Sequence, residues 1–339
     1  MRVGSRRANN SISPTEPEVS IMKTYVLGAG ASLHAGYPLT RDLWLRFTER
    51  ASTSLPALKE QVEERLGPEK DIEKIFTALE AIRNRTCGID RATVAMLISE
   101  LTHELCEFFR ECRVKSAKEY GVFSEECVQV DDVVITFNYD VSLDRELRRT
   151  GKWDISSGYG FPILDGPRSQ VTLLKLHGST NWRGSIFDGS KGSGAHNWSA
   201  LGGRPVIPPE EFEFLGYHGL KDLQFSNGSI SAMIMPTRNK AFHVHTSFGL
   251  EWKSFWEMIW SQAAVALERS DEVLFLGYSL PAADTAAREL LLKHVGRNKK
   301  VTVACLADSN RIADEFSEST CVAVPLPDLS FEQWVSRCQ

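Results

Sequence analysis

The run Val133-Val134-Ile135-Thr136 is entirely β-branched and shows no polar alternation. A strand of that kind is stable only where both of its faces are covered, as in a parallel sheet flanked by helices. Tyr25-Val26-Leu27, Val171 to Leu176, Val273 to Leu276 and Lys300 to Cys305 are further short apolar runs. Helical periodicity separates the later ones, at Leu250 to Leu267 and Ala282 to Val295. Alternating strand and helix predicts a doubly wound sheet with right-handed crossovers.

No strand pattern interrupts residues 41 to 128. Leu43, Phe47 and Leu55, then Ile72, Ile75, Phe76, Leu79 and Ile82, then Val94, Leu97, Ile98, Leu101, Leu105 and Phe108 repeat at helical spacing. The predicted fold is therefore α/β: a Rossmann-like, mostly parallel sheet with a helical insertion or cap, 41–128, after the first β-α loop. Trp252, Trp256 and Trp260, at four-residue spacing, read as a core stripe. Residues 184 to 230, rich in Gly, Ser and Pro, read as loop. Residues 1–21 read as a disordered leader, because Arg2, Arg6 and Arg7 precede the first acid, Glu16, and Met22 stands just before the first strand. The catalytic domain is then 22–339.

Composition narrows the class. A net charge of -5 offers no basic field for nucleic acid. No apolar run approaches the ~18 residues of a membrane span. The seven cysteines include no C-x-x-C pair. Their odd count and the lack of a secretory leader predict buried free thiols in a reducing, cytoplasmic setting.

Four segments carry chemistry. Gly28-Ala29-Gly30-Ala31-Ser32 follows the first strand and leads to Gly36 and Pro38. Glycines there let backbone approach a pyrophosphate, although a tight β-to-α turn needs them equally. No G-K-[ST] follows, and the dinucleotide fingerprint fails because Gly36 is misplaced as its third glycine. Thr136-Phe137-Asn138-Tyr139-Asp140 lies at the carboxyl end of a buried strand, where open α/β sheets bind ligands. Asn138 with Asp140 suits a ribose or a positioned water; Asp140 or Ser142 would also serve as a helix cap. Leu176-His177-Gly178 ends another strand with a potential general base, or with a structural histidine. Gly277-Tyr278-Ser279 ends a fourth, where an ordinary turn fits as well.

Taken in order, G-A-G-x-S-x-x-x-G-x-P, T-x-N-x-D, H-G and G-x-S resemble the sirtuin superfamily over residues 22 to 306. That resemblance implies that Gly28, Ala29, Gly30, Ala31, Ser32 and Pro38 hold NAD at its phosphates, with Thr136 beside them. It implies that Asn138 orients water or ribose, that Asp140 binds nicotinamide or ribose, that His177 is the base, and that Gly277, Tyr278 and Ser279 line the adenosine side. The departures indicate a branch. Sirtuin deacylases carry two C-x-x-C zinc pairs after the His-Gly, whereas only Cys305, Cys321 and Cys338 follow His177, so no metal is expected. Leu39-Thr40-Arg41 and Phe137 also depart from the deacylase pattern. With the insertion, these features resemble the bacterial sirtuin-like NADases of antiphage defence.

The resemblance implies NAD as substrate, cleaved to nicotinamide and ADP-ribose. It further implies control by homo-oligomerisation or by a separate regulator such as a ring-forming ATPase. An NAD-dependent deacylase and a non-catalytic NAD or ADP-ribose-binding module are the alternatives. The second would not need both Asn138 and His177.

Overall fold

A computed structural model describes residues 21–50, 52, 54–112, 117–161, 167–185, 229–235, 237, 252–318 and 321–339. Residues 1–20 of the expected leader and most of the stretch 184–230 lie outside the described residues. The strands are β1 Lys23–Leu27, β2 Val133–Thr136, β3 Thr172–Lys175, β4 Gly178–Ser185, β5 Ser229–Met233, β6 Glu272–Leu276, β7 Lys300–Ala304 and β8 Val322–Pro325. Six of them form one parallel sheet in the order β3-β2-β1-β6-β7-β8. The chain runs outward from β1 to one edge, then returns to the middle and runs to the other. This is the Rossmann-like order, and its reversal falls between β1 and β6.

The burial of β1 and β2 explains their composition. Val133 to Thr136 are all buried, as are Thr24 to Leu27, because helices cover both faces. At the far edge β8 is short, half exposed and ends in Pro325, a residue tolerated where no ladder bond is needed. The sequence patterns miss β8, and they also miss the hairpin in which β4 pairs antiparallel with β5. Residues 184–185 and 229–230 are thus strand rather than loop.

The helices after β1 are α1 Thr40–Thr48, α2 Leu55–Leu66, α3 Ile72–Arg85, α4 Gly88–Glu111 and α5 Lys118–Val122. Among described residues no strand interrupts 41–128, as the periodicity predicts. Asp71 caps α3, accepting from the Glu73 and Lys74 amides, and Ile72, Ile75, Phe76 and Leu79 bury one face. These helices have their own hydrophobic core, joined by Tyr139, Met233 and Met235 from the sheet side. The remaining helices are α6 Ser142–Arg149, α7 Trp252–Arg269, α8 Thr285–His294, α9 Ser309–Ser317 and α10 Phe331–Val335. Trp256 and Trp260 of α7 are core residues, as expected. The cysteines are all free, but Cys87 and Cys338 are exposed, against the expectation of uniform burial, because they lie at a helix start and the chain end. No described helix is long and apolar enough to cross a membrane.

At the reversal the backbones of two loops touch. Gly30 donates its amide to the Gly277 carbonyl at 2.9 Å. Gly277 has φ +63°, and a Cβ there would lie 2.4 Å from the Ala31 nitrogen and 2.6 Å from the Gly30 carbonyl carbon. Gly151 has a similar φ, +73°, but nothing within 4 Å of a Cβ. Gly151→Ala should therefore cost about 1–2 kcal/mol from the left-handed backbone alone. Gly277→Ala should cost about 2–5 kcal/mol, since overpacking adds to that strain. Urea unfolding checks this, and equal costs would show that the loops are not in obligatory contact.

Candidate active site

The segment after β1 is a single 3-10 turn, Ala29–Ser32, and α1 begins only at Thr40. The tight turn places Ser32 beneath the end of β2. Its hydroxyl oxygen lies 2.7 Å from the Tyr120 hydroxyl, 2.7 Å from Asp140 Oδ2 and 2.9 Å from Asn138 Nδ2. A serine hydroxyl has one proton and two lone pairs. It donates to the Asp140 carboxylate and accepts from Tyr120 and Asn138, which uses all three. The phosphate contact implied for Ser32 would require one of these partners to leave.

Asn138 donates its second amide proton to the Gly28 carbonyl at 2.8 Å. Its amide nitrogen is thus fully engaged, while its side-chain oxygen accepts nothing among the described residues. That half-buried oxygen is the atom available to a hydroxyl or a water. Asp140 Oδ1 accepts from the Ser142 amide at 3.0 Å, so the carboxylate tethers the start of α6 as well as Ser32. Thr136 Oγ1 accepts from the Asn138 amide at 3.1 Å and shapes the turn. Pro38 is buried. Gly28 packs on Tyr278, where a Cβ would sit 2.6 Å from the ring.

His177 follows β3. Thr136 and Lys175 are paired across β2 and β3, and the ladder continues from the Leu176 amide to the Thr136 carbonyl at 3.0 Å. Asn138 and His177 each stand two residues beyond that paired position, on neighbouring strand ends. The His177 ring meets Phe137 edge-on at 4.9 Å and Tyr139 at 6.1 Å. Phe137 in turn stacks on Tyr278 at 4.3 Å. The loops after β2, β3 and β6 are thereby locked by rings, with His177 only 5% exposed. Burial pushes the Tyr278 and Tyr120 phenols well up, so both stay neutral. Ser279, by contrast, is exposed, and its carbonyl accepts from Arg311.

The structure adds three residues that the sequence reading does not single out. Tyr120 reaches Ser32 from α5, and nothing in its local sequence marks it. Asp284 Oδ2 lies 3.5 Å from His177 Nε2. The only local sign of it is a helix cap, since Asp284 accepts from the Ala287 amide. Lys175 is a charged residue inside an apolar strand, a signal that was visible. It is wholly buried, pairs with Asp144 at 3.2 Å and donates to the Asp140 carbonyl. Tyr159 donates to the same Asp144 carboxylate, and Asn181 donates to the Tyr159 hydroxyl at 3.0 Å. Lys175 thus ties the Asp140 loop to the strand that ends at His177.

Comparison with solved structures returns Sir2 proteins. A Sir2 homologue–NAD complex is 12% identical, covers 94% of this chain and 89% of that one, and has a TM-score of 0.41. Sir2Tm bound to a propionylated peptide is 12% identical, covering 93% and 91%, with a TM-score of 0.39. A structure described for the mechanism and regulation of Sir2 enzymes is 16% identical, covering 94% and 90%, with a TM-score of 0.39. No family model and no curated protein matches this chain. The Rossmann-like fold rests on the strand order itself.

Removing Lys175 tests the brace. Burial holds the Asp144 carboxyl above the usual carboxylate range, and Lys175 opposes that rise. In Lys175→Met the opposition is gone and the protonated acid is favoured further. A carboxyl whose folded pKa is raised binds more protons folded than unfolded, so its stability contribution falls as pH rises. The variant should lose about 3–5 kcal/mol at pH 7.5, as for a broken buried pair. The deficit should shrink as pH falls through the raised folded value of Asp144 and level off below about pH 4, where the unfolded carboxyl holds its proton as well. Urea midpoints across pH check this, and a deficit independent of pH would count against an uncompensated Asp144.

Proposed function

We propose that this chain is an NAD glycohydrolase that breaks the bond between nicotinamide and ribose, releasing nicotinamide and ADP-ribose. One observation carries the reading: next to the strand-order reversal of a Rossmann-like sheet, an asparagine is held by both amide protons with its oxygen unengaged among the described residues, and a buried histidine stands at the matching position on the neighbouring strand end. That position is where dinucleotides bind in sheets of this order. The ordered motifs of the sequence, which resemble sirtuins, support the same substrate.

Nicotinamide leaves as a neutral base, so no acid need protonate it. The enzyme must hold the ribose, exclude bulk solvent and deliver one water to the carbon that develops oxocarbenium character. The Asn138 oxygen accepts a hydrogen bond from that water or from a ribose hydroxyl. His177 takes the proton as the new carbon–oxygen bond forms. Asp140, Ser32 and Tyr120 keep Asn138 in place. With two of its amides committed within the loops, at Gly30 and Ala31, the glycine segment shapes the pocket and offers few donors to phosphate. The absence of paired C-x-x-C motifs favours hydrolysis over lysine deacylation. The presence of both Asn138 and His177 favours an enzyme over a passive NAD or ADP-ribose binder. We further propose that the activity depletes NAD in antiphage defence in the cytoplasm, with homo-oligomerisation or a separate regulator keeping it silent until needed.

Incubating purified chain with NAD, with and without an acyl-lysine peptide, and measuring free nicotinamide tests the proposal. Release without peptide is expected; release only with peptide would make the chain a deacylase. Asn138→Ala and His177→Ala should each lower turnover at least ~100-fold. Near-normal turnover in both would remove these residues from the chemistry.

A further inference from the structure

Asp284 lies far from His177 in sequence and joins it only through the fold. It sits at the start of α8, in the segment Gly277-Tyr278-Ser279-Leu280-Pro281-Ala282-Ala283-Asp284 that follows β6. Leu280 adopts φ +46°, a left-handed kink. The Asp284 amide then donates to the Pro281 carbonyl at 3.0 Å, which closes a tight turn. Together these bring the carboxylate back to the strand ends. One oxygen, Oδ1, accepts from the Ala287 amide at 3.2 Å and caps the helix. The other, Oδ2, faces His177 Nε2 at 3.5 Å. The two side chains are 2% and 7% exposed, so water screens their interaction poorly. The division of labour between the oxygens matters: the cap fixes the carboxylate, and the fixed carboxylate faces the imidazole.

We infer that Asp284 is the positioning residue of His177, holding the imidazole in place and stabilising its positive charge when it takes a proton. This deepens the glycohydrolase reading and rests on it for the catalytic role of His177; the pairing itself stands on the geometry. No covalent step is added: the proton moves from water to the imidazole, and Asp284 stays ionised throughout.

Among the described residues, the aromatic groups that face the imidazole are neutral. From the loop after β2, Tyr139 faces His177. Burial keeps its phenol neutral, and its hydroxyl donates to the Ile234 carbonyl at 2.6 Å. From the loop after β6, Tyr278 is also neutral and lies behind Phe137. Glu73 of α3 acts on both phenols, and Arg288 of α8 acts on Tyr278. Arg288 is itself paired with Glu315. Asp284, a described carboxylate, lies within 3.5 Å of the ring.

Asp284→Asn separates this role from the cap, because asparagine caps a helix about as well as aspartate but carries no charge. Asp284→Ser, also a good cap, provides a second uncharged variant should the first fold poorly. Imidazole NMR titration of the full chain, with the His177 signal assigned by its loss in His177→Gln, reads the coupling without any substrate. A fixed negative charge at this distance raises the pKa of an imidazolium, so the His177 titration should move down by about one unit in Asp284→Asn, with the unfolding midpoint unchanged. The acidic limb of kcat/KM for nicotinamide release should move down with it. Since the imidazolium that forms in the reaction loses its counter-charge, kcat should fall about tenfold or more with little change in KM. An unmoved His177 titration in both uncharged variants overturns the inference, whatever the activity. A moved titration in a chain that releases no nicotinamide supports the pairing and defeats the glycohydrolase reading instead.

Discussion

The contact between the Gly30 amide and the Gly277 carbonyl is the joint on which the rest of the molecule turns. β1 and β6 are neighbours in space but are separated by most of the chain, and the sheet reverses its order between them. Loops leaving such neighbours normally diverge, one to each face, and open a crevice. Here they are also pinned at their base. The pinning needs backbone-to-backbone approach, which a Cβ at Gly28, Gly30 or Gly277 would prevent. The glycines therefore have a structural reason to be there independent of any ligand. A pinned base would also hold any ligand-binding loops rigid, which is why a ligand-binding reading and a packing reading of the same residues do not compete.

Above that base, Ser32 is the hub. A single hydroxyl with its donor and both lone pairs satisfied joins the loop after β1, the loop after β2 and the helix that closes the insertion. Partly satisfied buried networks are costly, and fully satisfied ones favour a single geometry. Lys175 does the same work on the far side, binding the Asp140 carbonyl and the Asp144 carboxylate with no exposure to water. Between the two anchors, the segment Asn138 to Asp140 has little freedom left. Such rigidity suits the role proposed for Asn138, holding one water at a defined place, since a displacement of ~1 Å can cost ~100-fold in rate.

How much of this could be read from the chain follows from what each residue's signal is made of. β1, β2, β6 and β7 announce themselves because burial on both faces demands unbroken apolar runs. The helices of the insertion do so because one buried face imposes a 3.6-residue period. β4 carries Gly178, Ser179, Thr180 and Asn181, so it shows neither pattern, and its partner β5 is more than forty residues away in sequence. β8 is half exposed and short, which erases alternation. In the site, Asn138, Asp140 and His177 were legible as polar residues at the ends of apolar strands. Tyr120 and Asp284 were not, because their role exists only after a helix or a turn brings them in. Asp284 looks like any helix cap until its second oxygen is traced to His177.

The helical insertion and the site are not separable parts. Tyr139, Met233 and Met235 belong to the core of the helices rather than to that of the sheet. Tyr139 is the residue after Asn138, and its hydroxyl donates to the Ile234 carbonyl while the Ile234 amide donates to the His177 carbonyl at 2.8 Å. The side chain of Tyr139 is thus buried among the helices, while its neighbours on either side, Phe137 and Asn138 before it and Asp140 after it, form the site. A rigid shift of α1 to α4 would pull on Tyr139 and, through Ile234, on the backbone of His177 at the same time. The two residues proposed to place and deprotonate the water are therefore held by one shared set of contacts to the insertion. A change in how the helices pack would alter their relative position without touching either side chain.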